Sequence, residues 1–213
     1  MTVASKKING LYAITPDRQD NDLLLSEVRQ AIDGGVKLIQ YRAKNIPDKQ
    51  KHIQAKAIKD LCDDRNVNLI INDNIELSMY LDAFGVHLGK DDDSIENARK
   101  MLGSDKCIGI SCYNSIERVK KVFKKEIDYI ALGAFFPTKS KPNAPRASLE
   151  MVAEARTFCK LPIVAIGGID LVNISMLLKS DINAFASISS IFNSGKIESI
   201  TNEFNNILKK KIT

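Results

Sequence analysis

Short apolar runs alternate with longer stretches of mixed polarity from one end of the chain to the other. Eight such runs, at 11–15, 36–41, 68–72, 85–88, 107–111, 129–133, 162–166 and 184–188, have the length and bounds of strands buried on both faces. Between them, 22–33, 48–64, 94–102, 115–125 and 148–159 carry helical periodicity, and several open on a Ser or Asp able to cap a helix. No linker or low-complexity segment interrupts the alternation, so residues 1–213 read as a single domain. Strand-helix repetition implies a parallel sheet. Eight repeats in this length fit an α/β fold of the closed (β/α)8 TIM-barrel type. A doubly wound open sheet has fewer strands and a glycine fingerprint after the first, where this chain has Thr15-Pro16-Asp17-Arg18. In a barrel the site lies at the C-terminal ends of the strands, so polar residues just after each run should converge on one mouth.

Composition narrows the function classes. The 213 residues are 44% apolar and 27% charged, a globular balance long enough to bury a large core. Net charge is +5, with Lys209, Lys210 and Lys211 near the C-terminus reading as a solvated helix end. Basic residues do not interleave with aromatics along a stripe, which argues against nucleic acid as a partner. The positive balance suits small anionic ligands instead. The four cysteines, Cys62, Cys107, Cys112 and Cys159, form no CxxC pair and read as reduced, buried thiols. The start MTVASKKING lacks an apolar leader core, and no apolar run reaches membrane-spanning length. The expectation is a soluble cytoplasmic protein with no membrane partner.

The polar residues after each run carry the candidate chemistry. Beyond the second run, Gln40, Arg42 and Lys44 share one face because extended side chains alternate, and two cations with an amide can hold a phosphate. The plain alternative is that both cations face solvent or pair with carboxylates. Asn72 and Asp73 end the third run, where they can equally cap the next helix. The fourth run leads to Lys90-Asp91-Asp92-Asp93, and neighbouring strands would bring Asp73 near that acidic cluster. Carboxylates beside a phosphate clamp suit Mg2+ shared with a pyrophosphate. Zinc does not fit, since the only histidines are His52 and His87, at no zinc-site spacing; His87 reads as structural. Ser111 ends the fifth run. The sixth leads into Phe136-Pro137-Thr138-Lys139-Ser140-Lys141-Pro142, a long polar loop fit for anionic oxygens. The seventh ends in Gly167-Gly168, which permits close backbone approach to a phosphate or simply makes a tight turn; the eighth ends in Ile188, Ser189 and Ser190.

Together the segments LYAITPD, GGVKLIQYRAKN, LIINDNIELSMYLDAFGVHLGKDD, IGISCYN, DYIALGAFFPTKSKPNAP, IVAIGGI and SISSIF resemble the thiamine phosphate synthase family almost end to end, in the family's order. The resemblance implies a (β/α)8 barrel and a transferase. Its reaction joins hydroxymethylpyrimidine pyrophosphate to hydroxyethylthiazole phosphate, or its carboxylated form, giving thiamine monophosphate and pyrophosphate with Mg2+. It assigns Gln40, Arg42, Lys44, Asn72, Ser111 and Lys141 to the pyrimidine pyrophosphate, with Arg42, Lys44 and Lys141 supporting the leaving group. Asp73 and Asp92 fall to the metal, and Thr138, Ser140, Gly168, Ile188 and Ser189 to the thiazole phosphate. Closure of the loop after the sixth run would keep water from the reacting carbon.

The chain departs from the family pattern at Tyr41 and Ala43, where leucine and glutamate are expected, at Asn74, where arginine is, and at Tyr113, often a histidine. The alternatives are a thiazole tautomerase-like isomerase, which lacks the full pyrophosphate and metal set, and a non-catalytic barrel binding thiamine intermediates. Small-molecule substrates are the expected partners, with a homo-oligomer left open.

Overall fold

The computed structural model describes residues 2–90, 94–138 and 145–212. Eight parallel strands close into one barrel in simple sequence order: β1 (Gly10–Ile14), β2 (Leu38–Tyr41), β3 (Asn68–Asn72), β4 (Gly85–Leu88), β5 (Cys107–Tyr113), β6 (Tyr129–Gly133), β7 (Ile163–Ile166) and β8 (Ala184–Ser187). The barrel shuts where β1 pairs with β8, Leu11 opposite Phe185 and Tyr12 opposite Ala186. The strand bounds match the apolar runs to within about two residues, because a strand buried on both faces is apolar almost throughout. Val36 and Lys37 fall before β2, and β5 runs on through a register shift between Ser111 and Tyr113.

Around the barrel lie α1 (Val3–Lys6), α2 (Asn21–Asp33), α3 (Asp48–Asp64), α4 (Ile75–Tyr80), α5 (Ile95–Leu102), α6 (Ile116–Val122), α7 (Leu149–Arg156), α8 (Ser189–Phe192) and α9 (Ile197–Ile212). Side chains of Asp20, Asn74, Ser94, Ser115 and Ser148 each accept a backbone N–H two or three residues on. The three serines are the caps expected from the sequence, whereas Asp22 and Asp48 lie inside the first turns of α2 and α3, and Asn74 rather than Asn72 or Asp73 caps α4. Helices α6 and α7 stop short of the predicted 125 and 159, since the chain there turns inward to begin the next strand. The connection from β7 to β8 holds only a 3-10 turn, Ile174–Leu177, where the repeat would place an α-helix.

Alternation along each strand separates two apolar layers. Tyr12, Leu38, Ile70, Cys107, Tyr129, Val164 and Ala184 fill the barrel, while Ile39, Ile71, Ile108, Ile130, Ala165 and Phe185 pack outward under the helices. The N-terminal end is plugged by α1, whose Ala4 joins Ile8 in the interior cluster. There the buried Asp128 carboxylate is matched by Arg99 at 2.9 Å, the Thr2 hydroxyl and the Ile108 N–H, as a buried charge requires. Toward the other end the interior turns polar: Leu38 gives way to Gln40 and Arg42, Ile70 to Asn72, and Cys107 to Ser111.

Candidate active site

The polar end opens into a cavity of about 660 Å3 to which all eight strands or their exit loops contribute. On one side β2 delivers Gln40, Arg42 and Lys44, the same-face trio inferred from alternation. Its exit is tied down from β1. The buried Thr15 hydroxyl accepts the Arg42 N–H at 2.9 Å, and the Asp17 carboxylate accepts the Lys44 N–H at 2.7 Å. Next to Asp17, Arg18 forms a bidentate pair with Glu27 and donates to the Phe192 carbonyl, joining this rim to α8. Thr15-Pro16-Asp17-Arg18 therefore serves as a brace in the place where a glycine turn would cradle phosphate in an open sheet.

Lys44 Nζ lies 3.3 Å from Asp73 Oδ2, at an exposed position where such a pair adds little stability. Among the described residues no carboxylate pairs with the half-buried Arg42 guanidinium. An unneutralised cation at the mouth is what an anionic ligand would meet. Asp73 sits in the left-handed region, φ 64°, with its N–H donated to the His87 carbonyl at 2.8 Å. An Asp tolerates that conformation better than most side chains, and the bond to β4 fixes the carboxylate at the rim. Its hard oxygens suit Mg2+, which binds through one or two carboxylates together with substrate phosphates. Among the described residues no group of three or more His, Cys, Asp or Glu could hold a metal alone. Asp92, the expected second ligand, lies outside the described residues.

The floor is a chain of hydrogen bonds across the barrel interior. Gln40 Nε2 donates to the Tyr12 hydroxyl at 2.8 Å, the Tyr12 and Tyr129 hydroxyls are 3.0 Å apart, His87 Nδ1 is 2.8 Å from the Tyr129 hydroxyl, and His87 Nε2 is 2.8 Å from Ser111 Oγ. Burial pushes both tyrosine hydroxyls far above their ordinary pKa, so both remain protonated. Gly109 makes room: a Cβ there would lie 2.0 Å from Tyr129 Cζ. Beside the floor, Arg118 donates to the Ser111 carbonyl at 2.7 Å and the Gly89 carbonyl at 2.8 Å, and lies over the Tyr113 ring. The Tyr113 hydroxyl accepts the Lys90 N–H at 3.2 Å.

The opposite wall is less charged. Val164, Ile166 and Ala186 line it, with Thr138 at the exit of β6 and Ile188 and Ser189 at the exit of β8. Gly167 and Gly168 both have positive φ, 99° and 68°. A Cβ on Gly168 would stand 2.2 Å from the Pro137 carbonyl oxygen, and one on Gly167 2.4 Å from Ala134 Cβ. The pair makes the tight turn that is the plainer reading of its sequence, and the close approach it permits is to the chain's own backbone leaving β6. Ser187 and Ser190 both donate to the Ile169 carbonyl, locking the β7 exit against β8.

Comparison with known proteins decides the family. A family profile described as thiamine monophosphate synthase matches residues 11–191. The chain belongs to the thiamine monophosphate synthase family. Among relatives of this enzyme family, a thiamine-phosphate synthase from Methylobacillus flagellatus is 43% identical over 200 residues, covering 94% of this chain and 95% of the relative. One from Persephonella marina is 40% identical over 200 residues, covering 93% and 95%. A solved thiamine phosphate pyrophosphorylase from Pyrococcus furiosus superposes with TM-score 0.86 at 30% identity over 98% of this chain and 99% of that one. An (S)-3-O-geranylgeranylglyceryl phosphate synthase from Thermoplasma acidophilum reaches TM-score 0.73 at 12% identity, covering 99% of each chain, a likeness of fold alone.

Gln40, Arg42, Lys44, Asn72, Asp73, Ser111, Thr138, Gly168, Ile188 and Ser189 all line the one cavity. Ser140 and Lys141 lie, like Asp92, outside the described residues. His87, read as structural, also lines the cavity and bonds to Ser111 there. The sequence alone assigns no site role to Tyr12, Tyr129, Thr15 and Asp17, although they fall in the segments LYAITPD and DYIALGAFFPTKSKPNAP that carry the family resemblance. Of the departures from the family pattern, Tyr41 points outward and donates to Gln54 of α3 at 2.8 Å, Ala43 packs on the outer core, and Asn74 caps α4. Only Tyr113 faces the cavity. The four cysteines are free and buried, and burial pushes the Cys62 and Cys112 thiols up to about 12. Among the described residues no helix is long and apolar enough to cross a membrane.

Proposed function

We propose that this chain couples hydroxymethylpyrimidine pyrophosphate to hydroxyethylthiazole phosphate, or its carboxylated form, releasing pyrophosphate and forming thiamine monophosphate in an Mg2+-dependent reaction. The observation that carries the reading is that Arg42, Lys44 and Asp73 face the same cavity as the Gly167-Gly168 turn and Ser189. One rim suits a pyrophosphate and the other a single phosphate, with room for two heterocycles between them.

The bond to the pyrophosphate oxygen breaks at a CH2 carbon attached to an electron-rich aminopyrimidine, and the thiazole nitrogen forms the new C–N bond there. Negative charge grows on the departing pyrophosphate. Arg42 holds it with a planar fork and Lys44 with a compact ammonium, both on a strand exit anchored by Thr15 and Asp17 before the substrate arrives. Asp73 would hold Mg2+, which when bound adds charge neutralisation at the leaving group. Asn72, Gln40 and Ser111 present amide and hydroxyl groups to the pyrimidine pyrophosphate. The apolar wall of Val164, Ile166 and Ala186 limits the water able to trap a cationic carbon. Thr138, Gly168, Ile188 and Ser189 are assigned to the thiazole phosphate. Ser140, Lys141 and Asp92 keep the roles the sequence resemblance gives them. No side-chain nucleophile is required.

The test is pyrophosphate release by the purified protein given both phosphorylated precursors, with single-substrate and metal-free controls. Release requiring both precursors and Mg2+ is the expected result. Thiazole isomerisation without release would move the assignment to a tautomerase, and binding without turnover would move it to a carrier.

A further inference from the structure

The hydrogen-bond chain on the cavity floor has a direction, and the direction follows from counting protons. Gln40 Nε2 gives an N–H to the Tyr12 oxygen, so the Tyr12 proton goes to the Tyr129 oxygen and the Tyr129 proton to His87 Nδ1. Nδ1 then accepts. A neutral imidazole accepting at Nδ1 carries its proton on Nε2, which donates to Ser111 Oγ. An imidazolium would present a second donor to Tyr129 and leave a buried phenol proton with nothing to bind, at the full cost of an unsatisfied group. The Ser111 oxygen has thus received a proton, and its own hydroxyl is released to an acceptor in the cavity. At the far end the Gln40 amide has spent an N–H and retains Oε1 for a donor.

We infer that Tyr12, Tyr129 and His87 form a relay that sets the polarity of the ligand contacts at Gln40 and Ser111, with His87 and Tyr129 as positioning residues. The floor then selects a heteroaromatic ring that offers an acceptor to Ser111 and an exocyclic N–H donor to Gln40. Reversing one end requires the amide to flip, both phenols to turn and the imidazole to change tautomer together, so the two contacts are read as one unit. This assignment rests on the proposed pyrimidine substrate for its ligand and on the fold alone for its polarity.

The chain has only two histidines, so His52→Gln, at an exposed helix position, leaves His87 as the sole imidazole for 15N NMR of the ligand-free protein. The expected spectrum is a neutral ring protonated at Nε2 with Nδ1 accepting a hydrogen bond. A ring protonated at Nδ1, an imidazolium at pH 7, or an even mixture of tautomers would overturn the inference. Kinetics supply a second readout. Tyr129→Phe keeps the ring and is expected to raise KM for the pyrimidine pyrophosphate about ten-fold, the value of one well-formed contact, with KM for the thiazole phosphate unchanged. An unchanged pyrimidine KM would sink the relay. In a Ser111→Ala background the same substitution should have almost no further effect on KM; full additivity would make the role of Tyr129 merely structural. His87→Gln retains a donor at the Ser111 end and should recover most of what His87→Leu loses; equal losses count against the relay. The tautomer is read without substrate. Its failure therefore refutes the relay, whereas absence of pyrophosphate release refutes the proposed function and leaves the tautomer standing.

Discussion

The two halves of the cavity rim are built by different means. Along β2 to β5 the groups facing the cavity are charged or strongly polar side chains, and other side chains hold their backbone: Thr15 under Arg42, Asp17 under Lys44, Arg118 under Ser111. Along β6 to β8 the surface is made by close backbone approach at Gly167 and Gly168 and by hydroxyls gathered on the Ile169 carbonyl. In the first half a functional group can be removed with its support left intact. In the second half the residues assigned to the thiazole phosphate under the proposed reaction lie among the packing contacts themselves, so chemistry and stability should fall together.

The sharpest way to break this contrast is Arg42→Ala. Under the proposed reaction it should lower kcat/KM by about a hundred-fold or more, the usual scale for losing a preorganised charge-stabilising donor, while Tm stays near that of the parent. A large drop in Tm would show that the first half is structural after all. Gly168→Ala makes the converse case. Forcing a Cβ into a positive-φ site against the Pro137 carbonyl should cost about 1–3 kcal/mol of stability and raise KM for the thiazole phosphate more than for the pyrimidine partner. Denaturant unfolding with both KM values checks it, and a stable variant with altered binding would separate what the comparison joins.

Smaller effects sharpen the first half. Asp73→Asn keeps the shape of the rim and should raise the Mg2+ needed for half-maximal turnover by at least about ten-fold, the scale seen when metal-site support is lost. An unchanged titration would remove Asp73 from the metal. Asp17→Ala takes away the anchor of the Lys44 backbone together with the bond to the Asn45 side-chain amide, and a rise of a few-fold in KM for the pyrophosphate substrate is expected. Least of all for catalysis, Tyr41→Leu should leave turnover untouched while costing about 1–3 kcal/mol of stability, because it removes part of a buried ring and leaves the buried Gln54 carbonyl without its donor.

How far the sequence disclosed this arrangement depended on how local each signal is. Strands of a parallel barrel are apolar over a few consecutive residues, so β3, β4 and β6 stand at their expected bounds. The facing of Gln40, Arg42 and Lys44 follows from alternation within five residues. The relay is different in kind. Tyr12 and Tyr129 meet across 117 positions, and each alone looks like a barrel-filling aromatic. The rim brace escaped notice because Thr15 and Asp17 act through backbone N–H groups that belong to another strand exit. The four-residue helices α1 and α8 are too short for periodicity to register.

Barrel closure has a consequence in time. As the chain leaves the ribosome β1 appears well before β8, the partner that covers its outer edge at residues 184 to 187. Between the appearance of β1 and that of β8 the nascent sheet presents an open row of N–H and C=O groups along β1, a template for pairing with a neighbouring chain. The cavity rim, which draws on both strands, is consequently among the last features to be assembled. The interval before closure, more than any step of native-state chemistry, is when this chain is most exposed to association with its own copies.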